Sequence, residues 1–262
     1  MSGNGGHKGS KSEKMPKKRL DGLVVERGLA ESRARAHSLI MAGSILVNNA
    51  PVDKPGAYIS QNAVITSRAD DLPYVSRGGL KLAHALDVFD IDVSGADCLD
   101  AGASTGGFTD CLLQRGAKSV VAVDVGYGQL AWKLRNDPRV QVIERTNIRY
   151  MTKADLPCPF DIVTIDVSFI SLKIVVPVVK DFLLPRGRIL ALIKPQFEVG
   201  KGQVGKGGVV KDSALHEAVL LDLEAFFTDE CQLTCLGVTP SPVEGPKGNR
   251  EFVMLLANWS WT

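Results

Sequence analysis

LDAGASTGGFTDCLLQRG, residues 99–116, is the end of an apolar run that opens abruptly into glycines. Gly102, Gly106 and Gly107 let the backbone turn sharply and leave room for a ligand beside it. A dinucleotide-binding turn would carry Gly-x-Gly-x-x-Gly, whose middle glycine lets a pyrophosphate approach the main chain. In that frame the three positions here are Gly102, Ser104 and Gly107. The Ser104 side chain blocks the middle position, which disfavours NAD and FAD and fits a nucleoside cofactor without phosphate.

Outward from this turn, strand and helix patterns alternate as an α/β fold requires. Seven strands are expected, at 97–101, 119–124, 140–143, 161–166, 188–194, 232–238 and 250–257. Several are apolar runs suited to a sheet covered on both faces. Asp124 ends the second strand, 22 residues beyond Gly102, where a carboxylate can accept both ribose hydroxyls of an adenosyl group. Asn147, past the third strand, is a candidate for adenine, and Asp100 for the cationic end of a methionine moiety. S-adenosylmethionine meets these demands, being a nucleoside with a ribose and no phosphate. The expected cofactor set is Asp100, Gly102, Ser104, Gly106, Gly107, Phe108, Asp124, Asn147 and Asp166.

Four ionisable residues belong where strand ends meet this turn. Lys81 lies in the helix-like SRGGLKLAHAL before the first strand. Asp166 closes the fourth strand, Lys194 closes the fifth, and Glu251 opens the seventh. Ligands of doubly wound sheets collect outside the carboxyl ends of parallel strands. Glu251 joins the others there only if the last strand runs antiparallel. Methyl transfer from a sulfonium to a ribose 2′-hydroxyl needs a nucleophile freed of its proton and held in line, and no metal. A lysine serves as base only if its pKa falls from about 10.4 towards neutrality, and burial beside a second ammonium pushes that way. The expected roles are Lys194 as base, Asp166 aligning it, and Lys81 with Glu251 positioning the ribose. The bland alternative is a set of salt bridges at the sheet edge.

KPQFEVGKGQVGKGG, residues 194–208, imitates a phosphate-binding loop, with Gly200 through Lys206 in Gly-x-x-x-x-Gly-Lys order. Such a loop follows its strand directly and ends on Lys and Ser or Thr. Here Pro195-Gln196-Phe197-Glu198 intervene, and Gly207 stands where the hydroxyl should be. The stretch reads instead as Lys194 on a strand end with a glycine-rich flap, 200–208, carrying Lys201 and Lys206.

The N-terminal quarter differs in character. Residues 1–72 carry 11 Lys and Arg against 7 Asp and Glu, whereas residues 73–262 carry 20 against 22. A basic segment on a near-neutral body is an electrostatic handle for a polyanion. Leu20, Leu23 and Val24 have helical spacing with Gly28 as a stop. Ser32 caps a second helix with the apolar face Ala36, Leu39 and Ile40, closed by Gly43. A short strand at 45–47, a turn at Asn48-Asn49 and an extended tail through Val64 and Ile65 follow. Residues 1–16 read as a disordered basic arm, 17–66 as a small α+β domain, 67–76 as a linker, and 77–262 as the catalytic body.

Arg19-Leu20-Asp21, Gly28, Ser32-Arg33, Ala36, Ile40, Gly43, Val47-Asn48 and Lys54-Pro55 resemble the αL-type RNA-binding domain first described in ribosomal small-subunit protein four. That resemblance implies contacts to structured RNA through Lys18, Arg19, Arg33, Arg35 and Lys54. In the body, LDAGASTGGFT, VDVGYGQLAWKLRNDPRV, ERTN, DVSFISL, LIKPQFEVGKGQVG and GNREF resemble the hemolysin-A (TlyA-type) family, covering roughly residues 18–257. The resemblance implies a ribosomal-RNA 2′-O-methyltransferase with an FtsJ-like (RrmJ-type), Rossmann-like domain, a cytidine target, and a Lys-Asp-Lys-Glu tetrad on Lys81, Asp166, Lys194 and Glu251. Two departures stand out. Leu72-Pro73-Tyr74-Val75 replaces the family's Arg-x-Trp-Val before Ser-Arg-Gly. The chain also stops soon after the seventh strand, which sets the expectation of a large-subunit target.

Other classes are bounded by composition. No run of about 18 apolar residues is present, and the first residues lack the apolar stretch of a secretory signal. A cytoplasmic protein without a membrane partner is expected. Cys98, Cys111, Cys158, Cys231 and Cys235 form no Cys-x-x-Cys pair, so buried thiols are expected rather than disulfides or a metal site. The competing functions are a membrane-active haemolysin and a non-catalytic RNA-binding ribosome-assembly factor.

Overall fold

The computed structural model describes residues 16–30, 32–67, 72–157, 159–200 and 202–258. The basic arm up to residue 15, linker residues 68–71, Cys158 and Lys201 lie outside the described residues.

The N-terminal module follows its sequence closely. After β1 (Lys17–Arg19), helix α1 (Leu20–Glu26) and helix α2 (Arg33–Met41) bury Leu20, Leu23 and Val24 against Ala36, Leu39 and Ile40. Gly28 and Gly43 end the two helices with φ of +71° and +69°, conformations that a Cβ would strain. Ser32 caps α2 by accepting the Arg35 main-chain N–H at 3.1 Å. Strand β2 (Ile45–Val47) pairs with β3 (Ala50–Pro51) across the Asn48-Asn49 turn, whose φ values of 50° and 64° suit a two-residue hairpin. Strand β4 (Tyr58–Ser60) pairs with β1, and β5 (Ile65–Ser67) with β2.

The body begins with α3 (Gly78–Val88) and β6 (Asp97–Ala101), then α4 (Gly107–Gln114), β7 (Ser119–Val123), α5 (Trp132–Arg135) and β8 (Val140–Ile143). It continues with β9 (Phe160–Ile165), α6 (Leu172–Lys180), β10 (Leu183–Ile193), the single turn α7 (Pro195–Glu198), α8 (Ser213–Asp229), β11 (Thr234–Pro240) and β12 (Phe252–Ala257). Seven strands form one sheet in the order β11-β12-β10-β9-β6-β7-β8. Only β12 is reversed, pairing antiparallel with both β10 and β11. Connections leave β6 towards β7 on one side and β9 on the other, so a topological switch point lies at the carboxyl end of β6.

Both sheet faces are covered, as the apolar strands require. Leu99, Val163, Ile165, Ile189 and Met254 face Val175, Val179, Leu223 and Phe227 of α6 and α8. Cys98, Val120, Leu190 and Val253 face Leu82, Leu86, Cys111 and Leu112 of α3 and α4. Strand β10 starts five residues earlier than its sequence pattern, because Arg186 (φ 67°) and Gly187 are absorbed as an irregularity rather than a stop. The described cysteines are free thiols; Cys98, Cys111 and Cys231 are buried and Cys235 half-buried. Burial pushes the Cys98 thiol up to about 12.

Candidate active site

Sheet register brings the site together. Ala101 of β6 lies beside Ile165 of β9, so Gly102 and Asp166 leave the sheet as neighbours. Ile193 of β10 lies beside Phe252 of the reversed β12, so Lys194 and Glu251 meet at the same edge. Gly102 (φ +87°) is required here, since a Cβ would come within 2.7 Å of the Asp166 carbonyl oxygen.

The four ionisable groups form two ion pairs on the wall of a cavity of about 470 Å³. Lys194 Nζ lies 2.5 Å from Asp166 Oδ1 and donates to Ser168 Oγ at 3.0 Å. Lys81 Nζ lies 2.5 Å from Glu251 Oε2. The Glu251 side chain is 0% exposed, and its Oε1 has no hydrogen-bond partner among the described residues. Taking such pairs out of water is costly and stabilises a fold poorly.

Helix α3 is held in place to deliver Lys81. A Cβ on Gly79 would meet the Tyr74 side chain at 2.3–2.5 Å, and one on Gly107 would meet Ser76 Oγ at 2.3 Å and the Gly79 main-chain nitrogen at 2.8 Å. The first turns of α3 and α4 are therefore in close contact. Val75 N–H donates to Asp110 Oδ2 at 2.8 Å and Gln114 Nε2 to the Pro73 carbonyl at 2.9 Å. Residues 72–76, read in the sequence as part of a linker, thus pack on the body.

The glycine-rich turn supplies the other wall: Gly102, Ser104, Gly107 and Phe108 line the cavity. Gly106 (φ +94°) sits behind it, against Leu130 and Leu134. Asp124 stands one residue past β7 and accepts the main-chain N–H of Ser104 at 2.8 Å and of Gly126 at 2.6 Å. A carboxylate has about four acceptor positions, so two remain for a vicinal diol. Between Gly102 and Phe108 the turn offers no cationic side chain, which suits a neutral nucleoside better than a phosphate. Asn147 accepts the Arg149 N–H at 3.2 Å, capping a short 3₁₀ turn, and neither it nor Asp124 lines this cavity.

Asp100 does not face the cavity, contrary to the expectation that it meets the cofactor's cationic end. Strand alternation turns it to the α4 face of β6. There it is wholly buried and accepts from Thr109 Oγ1 at 2.6 Å and Thr164 Oγ1 at 3.1 Å. Burial pushes its carboxyl up to about 7, with the nearby Asp166 charge adding to the rise and the threonine hydrogen bonds opposing it. Its usual value is 3.8. Between those values the folded chain holds a proton that the unfolded chain has lost, so stability falls as pH rises through the window and levels off above it. Asp100→Asn keeps the shape without that cost. Its stability relative to the unmodified chain is expected to climb between about pH 4 and 7, by a few kcal/mol at most. Urea unfolding at several pH values measures this, and a pH-independent difference would refute it.

Sequence reasoning missed several contributors. Ser168, Phe169, Gln196, Phe197 and Asn249 line the cavity. Phe169 is 89% exposed and held at φ 62°, a strained conformation costing about 1–3 kcal/mol for a non-glycine residue. Asn249 Nδ2 donates to the Gly208 carbonyl at 3.0 Å, and its Oδ1 accepts the Val210 N–H at 3.1 Å. That fastens the glycine-rich 202–208 segment at the mouth, where Val204 and Gly208 join the lining. Ser168 and Phe169 fall within the DVSFISL motif, but nothing local in that motif signals a partner 26 residues away.

The cationic residues expected to meet RNA lie on the N-terminal module. Arg33 and Lys54 are exposed and Arg35 is half-buried. Lys18 pairs with Glu26 at 3.0 Å. Arg19 directs its guanidinium at the buried Asp21, at 2.6 and 3.1 Å, and this contact is the largest influence holding that carboxyl below its usual range. A second cavity of about 370 Å³ lies at the seam, between Arg33, His37 and Met41 of the module and Thr105, Tyr127 and Gln129 of the body. Met41 and Thr105 line both cavities, so the module's surface leads into the site.

The chain as a whole has counterparts among known proteins. The sequence pattern of the FtsJ-like methyltransferase family matches residues 74–258, and that of the S4 domain matches residues 18–65. A Mycobacterium tuberculosis protein named 16S/23S rRNA (cytidine-2′-O)-methyltransferase TlyA is 49% identical over 239 residues, spanning 91% of this chain and 89% of that protein. Hemolysin A of Brachyspira hyodysenteriae is 41% identical over 239 residues, 90% of this chain and 98% of that one. A solved structure of a hemolysin-named protein from Streptococcus thermophilus superposes with a TM-score of 0.72 at 45% identity, covering 93% of this chain and 89% of that chain.

Proposed function

The chain belongs to the FtsJ-like methyltransferase family, and from that premise we propose that it methylates a ribose 2′-hydroxyl, that of a cytidine, in ribosomal RNA, with S-adenosylmethionine as methyl donor. The observation that carries this reading is the convergence of Lys81, Asp166, Lys194 and Glu251 on one cavity that the glycine-rich turn also lines. Its support from relatives is the TlyA protein named for that reaction.

When bound, S-adenosylmethionine supplies an electrophilic methyl group on a sulfonium. Gly102, Ser104, Gly107 and Phe108 would hold it, with Asp124 accepting its ribose hydroxyls. The protein's own groups prepare the nucleophile. Lys194 Nζ, entering the step as the neutral amine, would take up the 2′-hydroxyl proton as the oxygen is methylated. Asp166 and Ser168 fix the direction of the Lys194 amine through two contacts. Lys81, locked by Glu251, sets the position of the ribose and the local field. Correct placement of nucleophile and donor provides much of such a rate enhancement. At the mouth, the exposed Phe169 ring offers a face on which an unstacked base can rest. Lys18, Arg19, Arg33, Arg35 and Lys54 would hold the surrounding RNA, and the reaction belongs in the cytoplasm with the ribosome.

The test uses tritium-labelled S-adenosylmethionine with free subunits and assembled ribosomes. Label is expected in ribosomal RNA at a linkage resistant to alkaline hydrolysis, because a methylated 2′-oxygen cannot attack its own phosphate. Both subunits are assayed, since the TlyA relative's name carries 16S as well as 23S. Label absent from RNA would overturn the reading and favour an assembly factor, and label in nucleotides released by alkali would place the methyl group elsewhere than on the 2′-oxygen. The haemolysin name carried by other relatives gives no use for the four converging ionisable groups. No helix among the described residues is long and apolar enough to cross a membrane.

A further inference from the structure

Lys194 and Asp166 stand on separate strand ends, and each begins a short segment that leaves the sheet. The two segments meet at three successive points. Nearest the cavity, Lys194 Nζ contacts Asp166 Oδ1 at 2.5 Å and Ser168 Oγ at 3.0 Å. In the middle, the rings of Phe169 and Phe197 lie with centroids 4.8 Å apart. Farthest out, Glu198 Oε2 accepts from Ser171 Oγ at 2.6 Å, and its Oε1 accepts the Leu172 main-chain N–H at 2.9 Å.

Glu198 thereby shares the capping of α6 with Ser171, whose Oγ accepts the Lys173 N–H at 3.1 Å. A carboxylate at a helix N-terminus is favourable in its own right. Capping alone, however, does not require an acid from another strand end. Burial raises the Glu198 carboxyl above its ordinary range, against the pull of Ser171, the Leu172 N–H and Lys173. The carboxylate is therefore held under cover at a cost, at the point where the two segments are joined. Between that joint and the Lys194–Asp166 pair lies Phe169 in a left-handed conformation, which persists only while its surroundings hold it.

We propose that Glu198 is a positioning residue for methyl transfer: its paired contacts to Ser171 and Leu172 clamp the 166–171 segment to the 194–198 segment and so set the Lys194–Asp166 geometry. Glu198 does not line the cavity and acts only through the two segments. The inference rests on the methyltransferase reading above. A cap without this role would lower thermal stability and leave turnover per folded molecule unchanged.

The experiment compares Glu198→Ala, Glu198→Gln, Ser171→Ala and the Glu198→Ala/Ser171→Ala pair in the full chain, with ribosomal RNA and labelled S-adenosylmethionine. Rates are taken per cofactor-binding site. Glu198→Ala is expected to lower kcat roughly 10–100-fold, the loss that a small misplacement of reacting groups produces. KM for RNA and cofactor affinity should stay within about threefold, the pattern of an interaction felt in the transition state. Glu198→Gln should recover most of the rate, because an amide oxygen still accepts the Leu172 N–H. Ser171→Ala should lie between, and the double variant should be no worse than Glu198→Ala. Amide hydrogen exchange across 166–172 should quicken in Glu198→Ala and not in Glu198→Gln, which reads the clamp without any turnover. Turnover at the unmodified rate in Glu198→Ala, or in Ser171→Ala should the first not fold, overturns the inference. Unchanged exchange across 166–172 does the same. Absence of label in RNA with the unmodified chain instead overturns the methyltransferase reading and leaves the exchange result to judge the clamp.

Discussion

Lys194→Ala is expected to lower kcat by roughly 10²–10⁴-fold, the usual contribution of a positioned acid–base group. The folded protein and its cofactor affinity should survive. Lys194 makes no hydrogen bond or ion pair to the glycine-rich turn, its contacts being Asp166 and Ser168, so its removal leaves the turn's own hydrogen bonds in place. Its partner Asp166 is left with a side chain 24% exposed, where water can solvate the carboxylate. Because the lost interaction belongs to the reacting step, kcat and kcat/KM should fall together. Lys194→Arg should not restore activity, since a guanidinium remains charged and cannot take up the 2′-hydroxyl proton. Single-turnover methyl transfer with saturating cofactor is the measurement. A rate within a few-fold of the unmodified chain would remove Lys194 from the role of base.

Lys81→Ala is expected to have the largest effect on stability of any change in the site. It strands the Glu251 carboxylate, which is fully buried and already has one oxygen without a partner. Removing one member of such a pair costs about 3–5 kcal/mol, because the survivor keeps its desolvation penalty and loses its compensation. For a body of this size each kcal/mol lowers Tm by roughly 2–4 °C, so a drop of about 6–20 °C is expected. Replacing both members, as Lys81→Met with Glu251→Leu, should recover much of that loss. Methyl transfer should stay absent in the double variant. Recovered stability without recovered activity would separate the pair's chemical role from its structural one. A single Lys81→Ala variant that melts like the unmodified chain would show that Glu251 finds other compensation.

The predictions at Asp100, Glu198, Lys81 and Lys194 draw on different kinds of information. That Asp166, Lys194 and Glu251 lie at one sheet edge was legible in the sequence because each flanks a recognisable strand, and Lys81 because it lies in the helix before the first strand of the body. The carboxyl edge of a parallel sheet collects such residues. The glycine-rich turn was legible for a similar reason: Gly102 and Gly106 occupy backbone conformations that other residues avoid. Asp100 was misplaced because its neighbours in sequence form the turn. A single residue of strand alternation decides between the cavity and the α4 face. Glu198 was unreadable. In the sequence it is an acid in a polar stretch, and its partners lie 26 and 27 residues away on another element.

The sequence by itself determined the local shapes: which segments extend, which coil, where glycine or a cap ends them, and that a basic two-helix module precedes an α/β body. These follow from torsional preferences and side-chain periodicity acting over a few residues. Only the tertiary structure decided the pairings. Lys81 meets Glu251 across 170 residues because β12 runs against β10 in one particular register. Lys194 meets Asp166 because β9 and β10 run parallel, with Ile165 beside Ala191, and leave the sheet at the same edge. Such contacts are selected by burial of both sheet faces, where a one-residue slip would turn every side chain to the wrong side, and no local stretch of sequence contains that choice.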